Sequence, residues 1–254
     1  MKKLFIVSAV FLLLLTNLQA QQGTITQYST IDALIKGTFD GEMTLAGLRT
    51  KGNFGIGTYN SLDGEMILLD NTFYRVDVKG NIKVVEPEEK TPFAAVTFFT
   101  ASKTLEIPAG TSMAALNAKI DSIIPSRNLF YAVRITGNFT GIRTRSVPAQ
   151  ERPYTTLTEI VKKQPVFSFD SAEGVVLGFR CPPFVSGINV PGYHLHFLKS
   201  DRSGGGHVLD FITGNVKVEI QYISSFSLLL PGNQDFYSLD LSKSSEGDIK
   251  KVEK

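Results

Sequence analysis

The chain has 254 residues, 43% of them hydrophobic and 20% charged, a composition that excludes a disordered or low-complexity protein. The 26 basic and 24 acidic side chains give a formal net charge of +2, and no basic patch is evident. This balance argues against nucleic acid or a membrane surface as a partner.

The first twenty residues have the layout of a secretory signal peptide. Lys2 and Lys3 precede an apolar run of twelve residues, from Leu4 to Leu15, and Leu18-Gln19-Ala20 resembles a cleavage site. The run is shorter than the ~20 residues that cross a bilayer, which favours cleavage near Ala20 over an uncleaved anchor. We therefore expect residues 1–20 to be removed, with export to the periplasm or outside the cell and no membrane attachment afterwards.

Short apolar runs separated by turn residues dominate the rest of the chain. In chain order they predict a helix from 31 to a stop at 37, a helix at 44–51, strands at 54–59, 65–69, 73–78, 82–85, 94–99 and 104–107, a helix at 111–124, strands at 129–136 and 139–147, a helix at 155–163, strands at 166–170 and 174–180, a histidine-rich hairpin, and a strand at 215–222. The pattern predicts an α+β fold of mostly antiparallel sheet, divided near residues 137–150 into two sheet-rich lobes. The lone Cys181 cannot form an internal disulfide, so the core and any bound metal must hold the fold.

All three histidines of the chain fall within fourteen residues, at positions 194, 196 and 207. His194 and His196 are two apart and share one face of a strand. A turn near Asp201 and Arg202 would bring His207 opposite His196. Three imidazoles that converge with open positions left over are typical of a catalytic zinc or a similar divalent metal. The alternative is three polar side chains, each with its own hydrogen bond.

Other charged residues are candidates for the same site. Glu65 opens an apolar strand directly after a turn, although solvated turn residues are common there. Arg143 and Arg145 are two apart and would share a strand face, where an arginine can bind a substrate carboxylate or simply be solvated. Glu253 lies next to the chain end, where frayed residues are the rule.

Four blocks of sequence together resemble the α-acetolactate decarboxylase family over nearly the whole mature chain. They are Gly55-Ile56-Gly57-Thr58-Tyr59-Asn60-Ser61-Leu62-Asp63-Gly64-Glu65-Met66, Lys90-Thr91-Pro92-Phe93-Ala94, Gly141 to Gln150 followed by Pro153-Tyr154, and Gly192 to Phe197 with Gly205 to Phe211. The resemblance implies a homodimer, with a mixed sheet in an N-terminal lobe at 21–140. It also implies an antiparallel sheet in a C-terminal lobe at 141–254, which carries the metal hairpin.

The resemblance also implies an activity, the zinc-dependent conversion of 2-acetolactate to acetoin and carbon dioxide. The implied zinc ligands are His194, His196 and His207, with Glu65 as an active-site carboxylate at the metal. Arg145 would orient the substrate, Thr58 would line the cleft, and Glu253 would match the family's last active-site glutamate.

The implied chemistry gives each group a task. The metal would chelate the hydroxyl and ketone oxygens and stabilise the charge that develops as carbon dioxide leaves. Arg145 would hold the carboxylate, and a glutamic acid, either Glu65 or Glu253, would protonate the enediolate. We take Glu253 as the donor and Glu65 as the metal-side partner. The alternatives are another three-histidine enzyme acting on a small hydroxy-keto acid, and a secreted binding protein with a structural metal.

Overall fold

The computed structural model describes residues 23–243 and 245–253, so the predicted leader at residues 1–20 lies outside the described part of the chain. Within those ranges the chain forms fourteen strands and six α-helices, arranged as a seven-stranded sheet, a five-stranded sheet and a two-stranded ribbon. The predicted α+β class is confirmed. None of the helices in these ranges combines the length and apolar character needed to span a bilayer.

The elements follow the predicted order closely. In chain order the strands are β1 (Thr24–Tyr28), β2 (Met43–Thr44), β3 (Phe54–Thr58), β4 (Glu65–Leu69), β5 (Thr72–Val76), β6 (Ile82–Val84), β7 (Lys90–Thr91), β8 (Ala94–Thr97), β9 (Lys103–Ile107), β10 (Phe130–Arg145), β11 (Val166–Cys181), β12 (Gly192–Lys199), β13 (Gly205–Ile223) and β14 (Ser225–Leu229). The helices are α1 (Ile31–Ile35), α2 (Leu45–Arg49), α3 (Met113–Ile123), α4 (Leu157–Ile160), α5 (Gln234–Tyr237) and α6 (Glu246–Val252).

The first sheet has the strand order β14-β1-β8-β3-β4-β5-β6. Its strands β3 to β6 form the predicted antiparallel meander, in which consecutive strands pair directly. The tight turn between β4 and β5 uses Asp70 and Asn71, both with positive φ, a conformation that Asp and Asn tolerate well. Only β1 and β14 pair in parallel, and neither strand was predicted.

The second sheet is antiparallel and closes on itself. Its order is β10-β11-β12-β13-β9, and β10 also pairs with β13 along its other edge. The predicted histidine hairpin is β12 and β13, and His196 pairs directly with His207 in register.

Two predicted breaks in the second sheet are wrong. The segments at 129–136 and 139–147 form the single strand β10, and those at 166–170 and 174–180 form the single strand β11. Gly137 pairs with Gly174 in β11 and with Val216 in β13, so neighbouring strands carry the ladder through the residues that look like a turn. A register shift against β13 between Gly137 and Phe139 absorbs the irregularity.

The helices lie where capping and apolar spacing predict them. The side chain of Ser112 accepts a hydrogen bond from Ala115 N at the start of α3, which buries Leu116 and Ile120 against the second sheet. Thr30 caps α1 in the same way, through Ala33 N. A separate cluster joins α1, α4 and α6, and it includes Ile31, Leu34, Leu157, Ile160, Ile249 and Val252.

The two sheets pack face to face through a shared apolar cluster. Ile56 and Ile67 of the first sheet lie in one buried cluster with Leu177 and Leu198 of the second. The chain does not divide between the sheets at one point, because β9 precedes residue 141 yet pairs with β13. The site described next lies where β4 of the first sheet meets β12 and β13 of the second.

Candidate metal centre and active site

The three histidines converge on one buried point. His194 and His196 project from β12 and His207 from β13, with ring centroids 4.9 to 5.4 Å apart. Their potential ligand atoms all lie within 4.8 Å of one another, and each residue is at most 9% exposed. The strand alternation and the His196–His207 pairing therefore produce the predicted cluster.

Burial favours the neutral form of each imidazole, which is the form that binds a metal. Nδ1 of His196 donates a hydrogen bond to the carbonyl oxygen of Met66 at 2.9 Å, which leaves Nε2 buried with no hydrogen-bond partner among the described residues. Burial, with the charge of Arg145 as the second cause, lowers the pKa of His194 to about 3. Burial also holds the pKa of His196 and His207 well below 6.5. Three neutral nitrogens with an orphaned buried lone pair fit a zinc-like divalent ion.

Glu65 reaches the histidines from the first sheet. It opens β4 opposite Thr58 of β3, and its Oε2 lies 3.5 Å from Nε2 of His196. Burial raises the pKa of Glu65 to about 7 against the opposing charge of Arg145. A carboxylate so placed can meet a metal held by the three histidines.

Arg145 is anchored at the end of β10, opposite His207 in the ladder. The guanidinium is buried, with 3% exposure, and its Nη1 lies 3.4 Å from Oε1 of Glu65. Nη1 also donates to Oε1 of Gln164 at 3.0 Å, and Nη2 donates to the carbonyl oxygen of Val252 at 2.8 Å. One strand end, one loop and the C-terminal helix therefore fix its direction.

Glu253 arrives at the centre on the end of α6. Ile249 and Val252 are buried against α1 and α4, and Oε2 of Glu253 then lies 3.6 Å from Nε2 of His207. Burial raises the pKa of Glu253 to about 7, again opposed by Arg145. The chain end is thus part of the site.

These groups line one small cavity with a polar and an apolar side. The polar side holds Thr58, Glu65, Arg145, His194, His207 and Glu253, and the apolar side holds Ile31, Leu34, Leu62, Phe93, Val147, Leu157 and Val252. Thr58 lines the cavity as predicted, but its hydroxyl donates to the carbonyl oxygen of Gly64 at 2.7 Å. Its proton is therefore already engaged.

One of the two arginines predicted to share a strand face reaches the site. Arg145 is buried there whereas Arg143 is exposed. The ladder with β11 stays in register from Ile142 to Arg145, so the alternation of the strand is kept and the two arginines differ in what covers them. Gln164 and the Val252 carbonyl cover Arg145.

Three further contacts at the site were missed from the sequence. They are the side chain of Gln164 and the carbonyl oxygens of Val252 and Met66. Backbone carbonyls carry no residue-specific signal, and a glutamine before Pro165 looks like any loop residue. Only the completed fold identifies them.

Comparison with known proteins places this geometry in a family. Residues 25–243 match the family model described as alpha-acetolactate decarboxylase. The alpha-acetolactate decarboxylase of Methanosarcina mazei is 44% identical over 228 residues, which cover 90% of this chain and 79% of that protein. The enzyme of the same name from Bacillus subtilis strain 168 is 42% identical over 217 residues, 85% of each chain.

Solved structures agree with the sequence matches. The crystal structure of the alpha-acetolactate decarboxylase from Bacillus subtilis strain 168 superposes with a TM-score of 0.89 at 41% identity, covering 91% of this chain and 99% of that one. A Staphylococcus aureus protein, described as of unknown function and similar to alpha-acetolactate decarboxylase, gives a TM-score of 0.84 at 34% identity, covering 90% and 98%.

Proposed function

Because the chain belongs to the alpha-acetolactate decarboxylase family, we propose that it converts 2-acetolactate to acetoin and carbon dioxide with a zinc ion held by His194, His196 and His207. One observation carries the proposal. Two members of a buried three-histidine group, His194 and His207, line a single cavity with two glutamates and an arginine drawn from distant parts of the chain.

The histidines and Glu65 would hold the metal. When bound, zinc supplies Lewis-acid polarisation of the substrate's hydroxyl and ketone oxygens. The donor set supports this role, because neutral imidazoles leave the ion its charge and the buried Nε2 of His196 has no hydrogen-bond partner among the described residues.

Arg145 binds the substrate carboxylate in this proposal. Its guanidinium lies in the cavity wall beside the histidines, and two neutral acceptors, Gln164 and the Val252 carbonyl, orient it. The third contact of the guanidinium, from Nη1 to Oε1 of Glu65 at 3.4 Å, is the longest of the three, so the group can still meet a substrate carboxylate. The carboxylate so held breaks away as carbon dioxide, and the electron pair moves onto the ketone side as an enediolate.

Glu253 then delivers the proton that completes acetoin. The carboxyl of Glu65 lies 3.4 Å from Arg145, whereas the carboxyl of Glu253 makes no hydrogen bond within the described residues. A carboxyl that the guanidinium does not engage can hold a proton toward the cavity, so we assign donation to Glu253 and metal-side support to Glu65.

The test is metal-dependent turnover. The purified mature chain is incubated with racemic 2-acetolactate, and acetoin is measured with and without a chelator, followed by readdition of Zn²⁺. We expect acetoin well above the spontaneous rate, loss of this activity with the chelator, and recovery with zinc. No acetoin above background would refute the function, and chelator-resistant turnover would refute the metal. Loss of thermal stability without any turnover would favour a binding protein with a structural metal.

We also propose that the protein is exported after cleavage near Ala20 and acts as a homodimer. The leader pattern supports the first proposal, and the family resemblance supports the second. The N-terminal residue and the location of the expressed protein test export, and sedimentation of the mature chain tests the oligomeric state.

A further inference from the structure

Leu62 lines the cavity from a backbone conformation that bulky side chains rarely adopt. Ser61 has φ of +58° and Leu62 has φ of +57°, both in the left-handed region. Two consecutive residues other than glycine in this region store conformational strain, and such strain persists only where the surroundings impose it. Leu62 is nonetheless 2% exposed and points into the site.

Contacts from other parts of the fold impose the turn. The backbone N–H of Ser61 donates to the carbonyl oxygen of Phe39 at 2.7 Å, and Gln150 N–H donates to the carbonyl oxygen of Ser61 at 2.7 Å. The Ser61 hydroxyl also lies 3.1 Å from the hydroxyl of Tyr154. Three contacts to Ser61 from other parts of the chain thus hold the turn that positions Leu62.

The turn connects Thr58 and Glu65, two residues on the polar side of the cavity. Thr58 ends β3 and Glu65 begins β4, and they pair in register, so the loop that carries Leu62 lies beside the cavity that all three residues line. Leu62 packs there with Phe93, Val147 and Leu157, on the apolar side. The polar side accommodates the carboxylate and the two oxygens of a hydroxy-keto acid, which leaves the apolar side for its alkyl groups.

We propose that Leu62 is a specificity-determining residue that limits the size of the alkyl group on the hydroxyl-bearing carbon of the substrate. This inference rests on the proposed function. The homologue with an ethyl group at that carbon, 2-ethyl-2-hydroxy-3-oxobutanoate, loses carbon dioxide and gains a proton through the same bond changes. The two substrates therefore differ at this site only in the volume of one methylene group.

The experiment compares kcat/KM for the two substrates in the wild type, Leu62→Ala and Leu62→Gly. One methylene in an apolar pocket changes kcat/KM by about 10- to 200-fold. We expect each variant to raise the ratio of ethyl to methyl substrate by about tenfold or more. The glycine variant tolerates positive φ without strain, so it tests the proposal even if the alanine variant folds poorly.

The matched control is Leu48→Ala, which truncates a fully buried leucine of α2 that does not line the cavity. It should lower thermal stability and leave the substrate ratio unchanged. A ratio within about twofold of wild type in folded Leu62→Gly would overturn the proposal. Failure of the proposed function would be seen differently, as wild-type protein with no turnover of the methyl substrate.

Discussion

Glu253 lies against His207 with its carboxyl directed to the cavity and engaged by no hydrogen bond within the described residues. Replacing it with glutamine keeps the shape and removes the proton. We expect Glu253→Gln to lower kcat by about 10²- to 10⁴-fold, the range of general acid catalysis, and to yield acetoin of mixed chirality. The measurement is the initial rate together with chiral chromatography of the product.

The control for this prediction is Asp248→Asn, which neutralises a carboxylate of the same helix outside the cavity. It should change neither rate nor chirality. Full rate and unchanged chirality in Glu253→Gln would show that another group donates the proton.

Gln164 acts on Arg145 through one hydrogen bond of 3.0 Å, which the charged guanidinium donates to the amide oxygen. Gln164→Met keeps the side-chain length and removes the acceptor, which frees the guanidinium to turn. Since a hydrogen bond to a charged group is worth about 1.5 to 3 kcal/mol, we expect KM for 2-acetolactate to rise by about tenfold or more, with a smaller change in kcat.

Binding of the product acetoin, which lacks a carboxylate, distinguishes an effect on Arg145 from a general loss of structure. Inhibition by acetoin should be unaffected in Gln164→Met, because acetoin offers Arg145 no carboxylate. The matched control is Gln150→Met, at a glutamine whose side chain donates only to the carbonyl oxygens of Pro148 and Ala149. An equal loss of acetoin binding would contradict the assignment.

At the scale of elements, α6 contributes to the site in three ways. It carries Glu253 at its end, it offers the Val252 carbonyl to Arg145, and its Val252 side chain lines the apolar side of the cavity. The histidines and the Met66 carbonyl that orients His196 lie on β4, β12 and β13 instead. Metal binding and turnover should therefore be separable.

Deletion of residues 246–254 tests this separation. We expect the shortened protein to retain about the wild-type zinc content, measured by elemental analysis after dialysis, while kcat falls by about 100-fold or more. Ala at Lys250 and Lys251, exposed residues of the same helix, should leave both quantities unchanged. Loss of zinc from the deletion variant, or a rate close to wild type, would contradict the prediction.

The elements predicted from the sequence are those with strong local signals. Strand β4 is an apolar run between two turns, helix α3 has an apolar stripe and a capping serine, and the histidine hairpin needs only alternation and a turn. Strands β1 and β14 were missed because both are short and partly polar, and because they depend on partners far away in the sequence: β1 pairs with β8 and β14, and β14 lies at the edge of the sheet beside β1. Helix α6 was missed because Ile249 and Val252 are its only buried apolar residues, and they pack on α1 and α4, which are distant in the sequence.

The same distinction holds within the site. The histidines could be predicted from spacing, whereas Glu65, Arg145 and Glu253 needed the family resemblance, because their convergence depends on tertiary structure. Arg143 shows the limit of periodicity, since alternation treats it and Arg145 alike, and tertiary contacts decide which arginine is buried in the site.

At the scale of the whole molecule, the ionisable groups of the site make metal-free stability depend on pH. The pKa of Glu65 and Glu253 is raised in the folded state to about 7, so their ionisation removes stability as pH rises from about 4.5 through 7. The pKa of His194 is lowered to about 3, so its burial removes stability as pH falls below about 6.5. A bound divalent ion favours the ionised carboxylates and the neutral imidazole.

We therefore expect the rise in Tm caused by zinc to be larger at pH 8 than at pH 5, because protons on the carboxyl groups compete with the metal at the lower pH. Differential scanning fluorimetry with EDTA and with excess zinc measures this rise. The variant carrying Glu65→Gln and Glu253→Gln should show a smaller pH dependence. An equal or larger rise at pH 5 would contradict the pKa assignment.

The parallel pairing of β1 with β14 also affects how the chain folds. Strand β1 ends at Tyr28, and its outer neighbour comes from Ser225–Leu229, so one edge of β1 stays unpaired until almost the whole chain is available. Contacts so distant in sequence form slowly, and an open strand edge recruits other chains. A prematurely terminated chain that lacks β14 would therefore aggregate through β1, even though it still contains all three histidines.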